Sequence, residues 1–250
     1  MSARQEATAA PAGRAVTIKI LCNVVREPLR TCRVCATPVD GFDLCWRCRE
    51  HLRVGGVADL VAPLMYAIDT SESAALLREY KNHPVRSVRQ RRCSMIGELL
   101  WLAISLHQHC FGAAVGKPVS MRVVIPSLTF RPGIHPMTSV AQSLGLVGDA
   151  RLMPALDARC DRVVSVDKFT VQPAGAVTDR HVLVLDDVWT TGSNAQSAAL
   201  TLRRAGAAAV SVLVMGRWLS SRNALSARFK DELQEGYDTA LCPVTGGRCP

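Results

Sequence analysis

The chain has 250 residues, 48% of them apolar and 20% charged, which is ample material for a packed core and excludes wholesale disorder. Lys and Arg number 30 against 21 Asp and Glu, a formal charge of +9 that invites an anionic partner such as nucleic acid or a polyphosphate. Ten cysteines are too sparse for a small disulfide scaffold, and the longest strongly apolar stretch, Leu99 to Leu106, falls far short of the roughly 20 residues of a membrane span.

No basic-then-apolar leader opens the sequence, so a reducing, cytoplasmic setting without membrane insertion is the expectation. Residues 1–21 are mostly small and polar and read as a disordered tail. Residues 22–56 hold five cysteines and few apolar runs, which suggests a module built on something other than a core. Within it, Cys32-Arg-Val-Cys35 and Cys45-Trp-Arg-Cys48 are two C-x-x-C pairs separated by nine residues. A two-residue spacer lets two thiolates face one ion from a tight turn, and two such turns complete a closed tetrahedron, so a structural Zn2+ is expected. An iron–sulfur cluster and a pair of redox dithiols are the competing readings. Arg33, Arg47, Arg49 and Arg53 around Trp46 are either a stacking surface for single-stranded nucleic acid or solvated side chains on a zinc ribbon.

Composition becomes ordinary after Gly55-Gly56, and residues 57–236 form the main domain. Asp69-Thr-Ser-Glu72 has the form of a capping box and predicts a helix through Ala74, Leu77 and Tyr80, ended by Pro84. Between Glu79 and Glu98 there is no acid, while Lys81, Arg86, Arg89, Arg91 and Arg92 supply five positive charges. That block reads either as a track for a phosphate backbone, such as single-stranded DNA, or as a solvated basic loop. Apolar spacing predicts a buried helix from Ser94 to His107, with His107 capping and exposed at its end. Arg122 to Ile125 reads as a strand, Thr138 to Leu144 as a helix closed by Gly145, and Arg162 to Val166 as another strand. His181 to Leu185 is a continuous apolar run, the pattern of a strand buried on both faces of a parallel sheet. Ser193 to Ala205 is a helix stopped by Gly206, and Ala209 to Met215 a further buried strand, which makes one crossover unit. A last helix carries Leu225, Phe229 and Leu233 and ends at Gly236. Residues 237–250 are left as a tail in which Cys242 and Cys249 form a disulfide or half of a metal site, the other half being unassignable among Cys22, Cys93, Cys110 and Cys160. His83, His107, His109 and His135 show no partner at ligand spacing.

The most informative stretch runs from Val184 to Asn194, where a buried strand passes into a helix. Open parallel sheets bind ligands at such strand ends. Thr190, Thr191, Gly192, Ser193 and Asn194 supply hydroxyls, a close backbone approach and a helix N-terminus suited to a phosphate monoester. Asp186 and Asp187 would repel that anion, unless they hold the vicinal hydroxyls of a sugar whose 5′-phosphate lies in the loop.

This combination resembles the phosphoribosyl-pyrophosphate (PRPP) signature of type I phosphoribosyltransferases, in which an apolar strand leads into two acids and a Thr-Thr-Gly loop. The layout of a four-cysteine knuckle before such a domain is similar to the ComF family of competence-associated proteins. Leu77-Arg-Glu-Tyr-Lys81 resembles that family's basic-ended helix, Val123-Val-Ile-Pro126 its Val-Pro strand end, and Phe130-Arg-Pro-Gly133 occupies the place of its Arg-Gly-Phe-Asn-Gln segment. The resemblance implies an α/β fold with a parallel sheet flanked by helices and a small zinc ribbon. It also implies Asp186 and Asp187 on ribose hydroxyls, Thr190 to Asn194 on the 5′-phosphate, and Mg2+ bound with PRPP. Transfer of the phosphoribosyl group to an acceptor follows from it, with a nucleic-acid adaptor of the DNA-uptake type as the alternative. The chain departs from the family in having Asn194 where Thr is common and in lacking the Asn-Gln pair after Arg131.

Overall fold

The computed structural model describes residues 20–129, 133–233 and 236–250. The tail expected over residues 1–21 therefore falls almost wholly outside the described residues, as do Phe130, Arg131 and Pro132.

The architecture is α/β. A five-stranded sheet has the order β1 (Cys22–Asn23), β2 (Leu60–Ile68), β7 (Ala209–Leu219), β6 (His181–Trp189), β3 (Met121–Val124). All pairs are parallel except the short β1–β2 edge. β6 explains why: its Val and Leu residues alternate, and both kinds are buried. Leu183 and Leu185 join Leu213 and Met215 under the helices of one face, while Val182 and Val184 join Val210 and Val212 under the other. A strand without a polar side is stable only between two layers. The first layer is α2 (Glu72–Asn82), α3 (Arg86–Val115) and α4 (Pro136–Ser143), which contribute Leu77, Leu100 and Ala141. The second is α5 (Ser193–Arg204), whose Ala195, Ala198, Ala199 and Leu202 pack beside the cysteines of the N-terminal segment. A helix α1 (Trp46–Val54) begins at Cys45, β4 (Arg151–Pro154) and β5 (Phe169–Gln172) make a separate hairpin-like pair, and α6 (Ala224–Asp231) follows β7.

Several expectations change. The 69–72 capping box is not formed: Ser71 caps α2 by accepting from the Ala74 amide, whereas Asp69 accepts from the Ser221 amide and from the Ser220 hydroxyl, tying β2 to the far end of β7. α3 is far longer than the apolar pattern, because Arg86 to Arg92 supply good helix formers that need no core to stay helical. Arg162 to Val166 is not a strand. It has no neighbouring strand, Val163 is exposed, and Ser165 instead caps a 3₁₀ turn over Val166–Lys168. β2 escaped detection because Pro63 interrupts it, yet β1 covers only Met65 and Tyr66, so Pro63 sits at an edge where a proline is tolerated. α6 stops at Asp231, with Leu233 beyond its end.

His107 is buried within α3 and bonded, not an exposed cap, and Cys242 and Cys249 are free thiols, not a disulfide. No helix among the described residues is long and apolar enough to cross a membrane.

Candidate functional site

β6 carries the acidic pair on its last residues and continues to Trp189, so Asp186 and Asp187 belong to the strand itself. Alternation sends them to different neighbours. Asp187 is buried and accepts from the Tyr80 hydroxyl, its Oδ2 is paired with the Lys81 ammonium, and His135 Nε2 lies 4.0 Å away. Asp186 is half-buried and accepts from the Asp187 amide at 2.9 Å. Burial, then the neighbouring charge of Asp187, push the Asp186 carboxyl up to about 7. Burial and the same carboxylate lift the Tyr80 phenol above its ordinary range, which keeps it a hydrogen-bond donor.

Tyr80 and Lys81 reach the pair because α2 lies close on β7. A Cβ at Gly216 would stand 2.4 Å from Leu77 Cδ1, so glycine lets the helix settle onto the strand there.

The loop after β6 turns at Gly192, which has φ 81° and starts α5 with no side-chain cap. A Cβ at Gly192 would come within 2.1 Å of the Trp189 ring, so both the left-handed backbone and the indole demand glycine. Thr191 Oγ1 accepts from the Ser193 amide at 3.4 Å and lies 3.1 Å from Ser193 Oγ. Asn194 Oδ1 accepts from the buried Lys168 ammonium at 3.4 Å, which leaves its NH2 as the donor for a ligand. Behind the loop, Arg217 Nη1 donates to the Trp189 and Thr190 carbonyls at 2.6 and 2.9 Å, and its Nη2 donates to Thr37 Oγ1 in the cysteine segment at 2.6 Å.

Together these elements form a cleft of about 250 Å3, lined by Asp186, Asp187, Lys81, His135 and residues 190–195, and by Ser127 and Thr129. The expected carboxylates and the expected loop thus share one cavity. Tyr80, His135, Lys168 and Arg217 are additions that single-sequence reasoning missed. Lys81, read from the sequence as part of the basic block and as the basic end of the Leu77–Lys81 helix, stands in the cleft at the end of α2. Chemically, the cleft combines hydrogen-bond acceptors for a diol, an ammonium and a helix N-terminus for an anion.

The other basic residues of that block lie on the first turns of α3. Arg92 is paired with Glu79 at 2.8 Å and Glu72 at 3.4 Å. Arg89 donates to the His83 carbonyl at 2.5 Å, while Arg86 and Arg91 are exposed.

Cys32, Cys35, Cys45 and Cys48 form a group whose sulfurs all lie within 4.8 Å of one another and could hold a metal ion. Cys35 and Cys45 sulfurs are 3.7 Å apart, and the Cys48 amide donates to Cys45 Sγ at 3.5 Å. Three of the four are buried and belong to the same core cluster as Val61, Val123 and Trp189, so the group is part of the sheet's second layer.

No family model matches the chain, and no curated protein matches it significantly.

Proposed function

We propose that the chain binds PRPP and transfers its phosphoribosyl group to an acceptor. The observation that carries this reading is the meeting, in one cleft, of a carboxylate pair at the carboxyl end of a parallel strand and an uncapped helix N-terminus only a few residues later. Asp186 and Asp187 accept hydrogen bonds from the ribose 2′- and 3′-hydroxyls. The amides at the start of α5, with the Thr191 and Ser193 hydroxyls and the Asn194 amide group, donate to the 5′-phosphate. The fold read in this way is that of a type I phosphoribosyltransferase, and the cysteine cluster preceding it supports the resemblance to the ComF family.

In the reaction the acceptor's nucleophilic atom bonds to the anomeric carbon as the bond from that carbon to the pyrophosphate oxygen breaks. Pyrophosphate leaves with the electron pair, and the acceptor's proton passes to solvent. The chain's share is positioning and charge complementarity. Lys81 places a positive charge beside the carboxylates, where it offsets their repulsion of an incoming polyphosphate. The oxygen-only donors Asp186, Asp187 and Ser127 suit a hard cation, and Mg2+ carried with the pyrophosphate would screen its charge.

The four-cysteine group fits Zn2+. A tetrahedron with Zn–S bonds of about 2.3 Å has sulfurs about 3.8 Å apart, and Cys35 and Cys45 are separated by 3.7 Å. Four thiolates close the shell, so the metal holds the segment's fold and carries no chemistry. That none of the ten cysteines is in a disulfide suits a reducing, cytoplasmic compartment. A single-stranded-DNA adaptor draws less support, since Lys81, Arg89 and Arg92 are engaged within the protein.

Calorimetric titration of PRPP with Mg2+ into the wild type and into Asp186→Asn/Asp187→Asn tests the proposal. Heat of binding in the first and none in the second is expected. A folded, metal-loaded wild type that gives no heat overturns it.

A further inference from the structure

A second set of metal-ligating side chains lies outside the cleft. His107 and Cys110 are three residues apart on α3, so they present their side chains on one helix face. Cys242 and Cys249 come from the carboxyl-terminal segment, and the ligand atoms of all four residues lie within 4.8 Å of one another. We propose that His107, Cys110, Cys242 and Cys249 form a second tetrahedral Zn2+ site that staples the carboxyl-terminal segment to α3.

Three observations support it beyond proximity. His107 Nε2 lies 2.8 Å from the Thr239 carbonyl. A carbonyl can only accept, so Nε2 carries the hydrogen and the Nδ1 lone pair is free for a metal. This is the usual support for a metal-bound imidazole, whose second nitrogen donates to a carbonyl or carboxylate. That Nδ1 lies 3.3 Å from Cys249 Sγ. Zn–N and Zn–S bonds of about 2.05 and 2.3 Å at a tetrahedral angle would separate the two atoms by about 3.5 Å.

Cys242 sits in a tight turn, with its amide donating to the Gly247 carbonyl and its carbonyl accepting from the Gly246 amide, both at 2.8 Å. The donor set adds an argument of its own. Cys110, Cys242 and Cys249 cannot all pair in disulfides among themselves, whereas three thiolates and one imidazole complete a shell that Zn2+ favours.

Residues 236–250 contain no helix and no strand beyond single bridge residues, so little backbone pairing holds them in place. A metal there would supply that hold. It would also join the two centres mechanically. Arg26 donates from Nη1 to the carbonyl of Arg33, which follows Cys32, and from Nε to the carbonyl of Pro243, which follows Cys242, each at 2.9 Å.

Elemental analysis with native mass spectrometry of the full chain, purified without chelator, tests the site. Two zinc equivalents are expected in the wild type and one in Cys242→Ser/Cys249→Ser. His107→Cys should keep two equivalents, because it preserves four ligands, and His107→Leu should fall to one. Cobalt reconstitution provides a second measurement on the folded protein: the thiolate charge-transfer band of the wild type should fall in the ratio of seven thiolates to four in the double variant. A single equivalent in the wild type, two equivalents persisting in the double variant, iron in this site, or a disulfide among Cys110, Cys242 and Cys249 would each overturn the assignment.

Discussion

The Lys81 ammonium and the Asp187 carboxylate form an ion pair in the wall of the cleft, with both side chains largely withdrawn from water. One partner comes from α2 and the other from β6, so the contact locks the helix layer to the strand that carries the acidic pair. Removing Lys81 alone leaves a buried carboxylate without its countercharge, which typically costs about 3 kcal/mol. Lys81→Met should therefore be strongly destabilised, and Lys81→Met/Asp187→Asn should recover much of the loss. Urea unfolding of the two single variants and the double variant measures the coupling, and strict additivity would contradict it.

Asp186 should make the empty protein less stable as pH rises. Its folded-state pKa of about 7 is above the unfolded value near 3.8, so its contribution is full below the unfolded pKa and is lost as pH rises through the folded one. Asp186→Asn should raise the thermal midpoint at pH 8 and gain nothing at pH 3.5, a change of roughly 2–4 °C for each kcal/mol. The same titration governs binding. If ribose hydroxyls donate to an ionised Asp186, affinity for PRPP should fall as pH drops from 8 to 6, and the fall should be smaller in the Asn variant, where only the ligand's phosphates, with a second pKa of about 6, still titrate. Calorimetry across that range reads both.

Gly192 tolerates no side chain. Alanine there would force its Cβ into the Trp189 ring and strain a left-handed backbone. We expect Gly192→Ala to lose at least tenfold in PRPP affinity, about 1.4 kcal/mol, and to unfold earlier. Equal affinity for the variant and the wild type would show that the loop does not touch the phosphate.

Removal of the metal proposed at the four cysteines should be felt in the loop after β6. Arg217 holds the Trp189 and Thr190 carbonyls while its other arm rests on Thr37, inside the cysteine segment. Hydrogen exchange after chelation should therefore speed up both around the cysteines and in residues 189–192. Arg217→Met should expose the loop amides even with metal bound. Protection that changes only around the cysteines would disprove the link.

What could be read from the sequence was local. The alternating Val and Leu of β6, the acids after them and the Thr-Thr-Gly turn sit within a dozen consecutive residues, and the two C-x-x-C pairs are equally compact. The rest of the cleft is assembled over distance. Tyr80 and Lys81 arrive from α2 and His135 from the start of α4, and no spacing rule connects them to Asp187. His107 and Cys249 illustrate the same barrier, since their contact joins α3 to the far end of the chain. Local patterns also misled where a partner was missing: Val163, Val164 and Val166 look like a strand but have no neighbour to pair with, while Pro63 disguised a strand that does.

The contact between Gly192 and Trp189 gives the protein a built-in optical gauge. The indole is almost entirely shielded from water and its edge abuts the turn that opens α5. An anion bound at that turn, as proposed, would place charge beside the chromophore and should shift its emission. Occupancy of the cleft can then be followed by fluorescence in the unlabelled chain, with Trp46, Trp101 and Trp218 replaced by phenylalanine to silence the background.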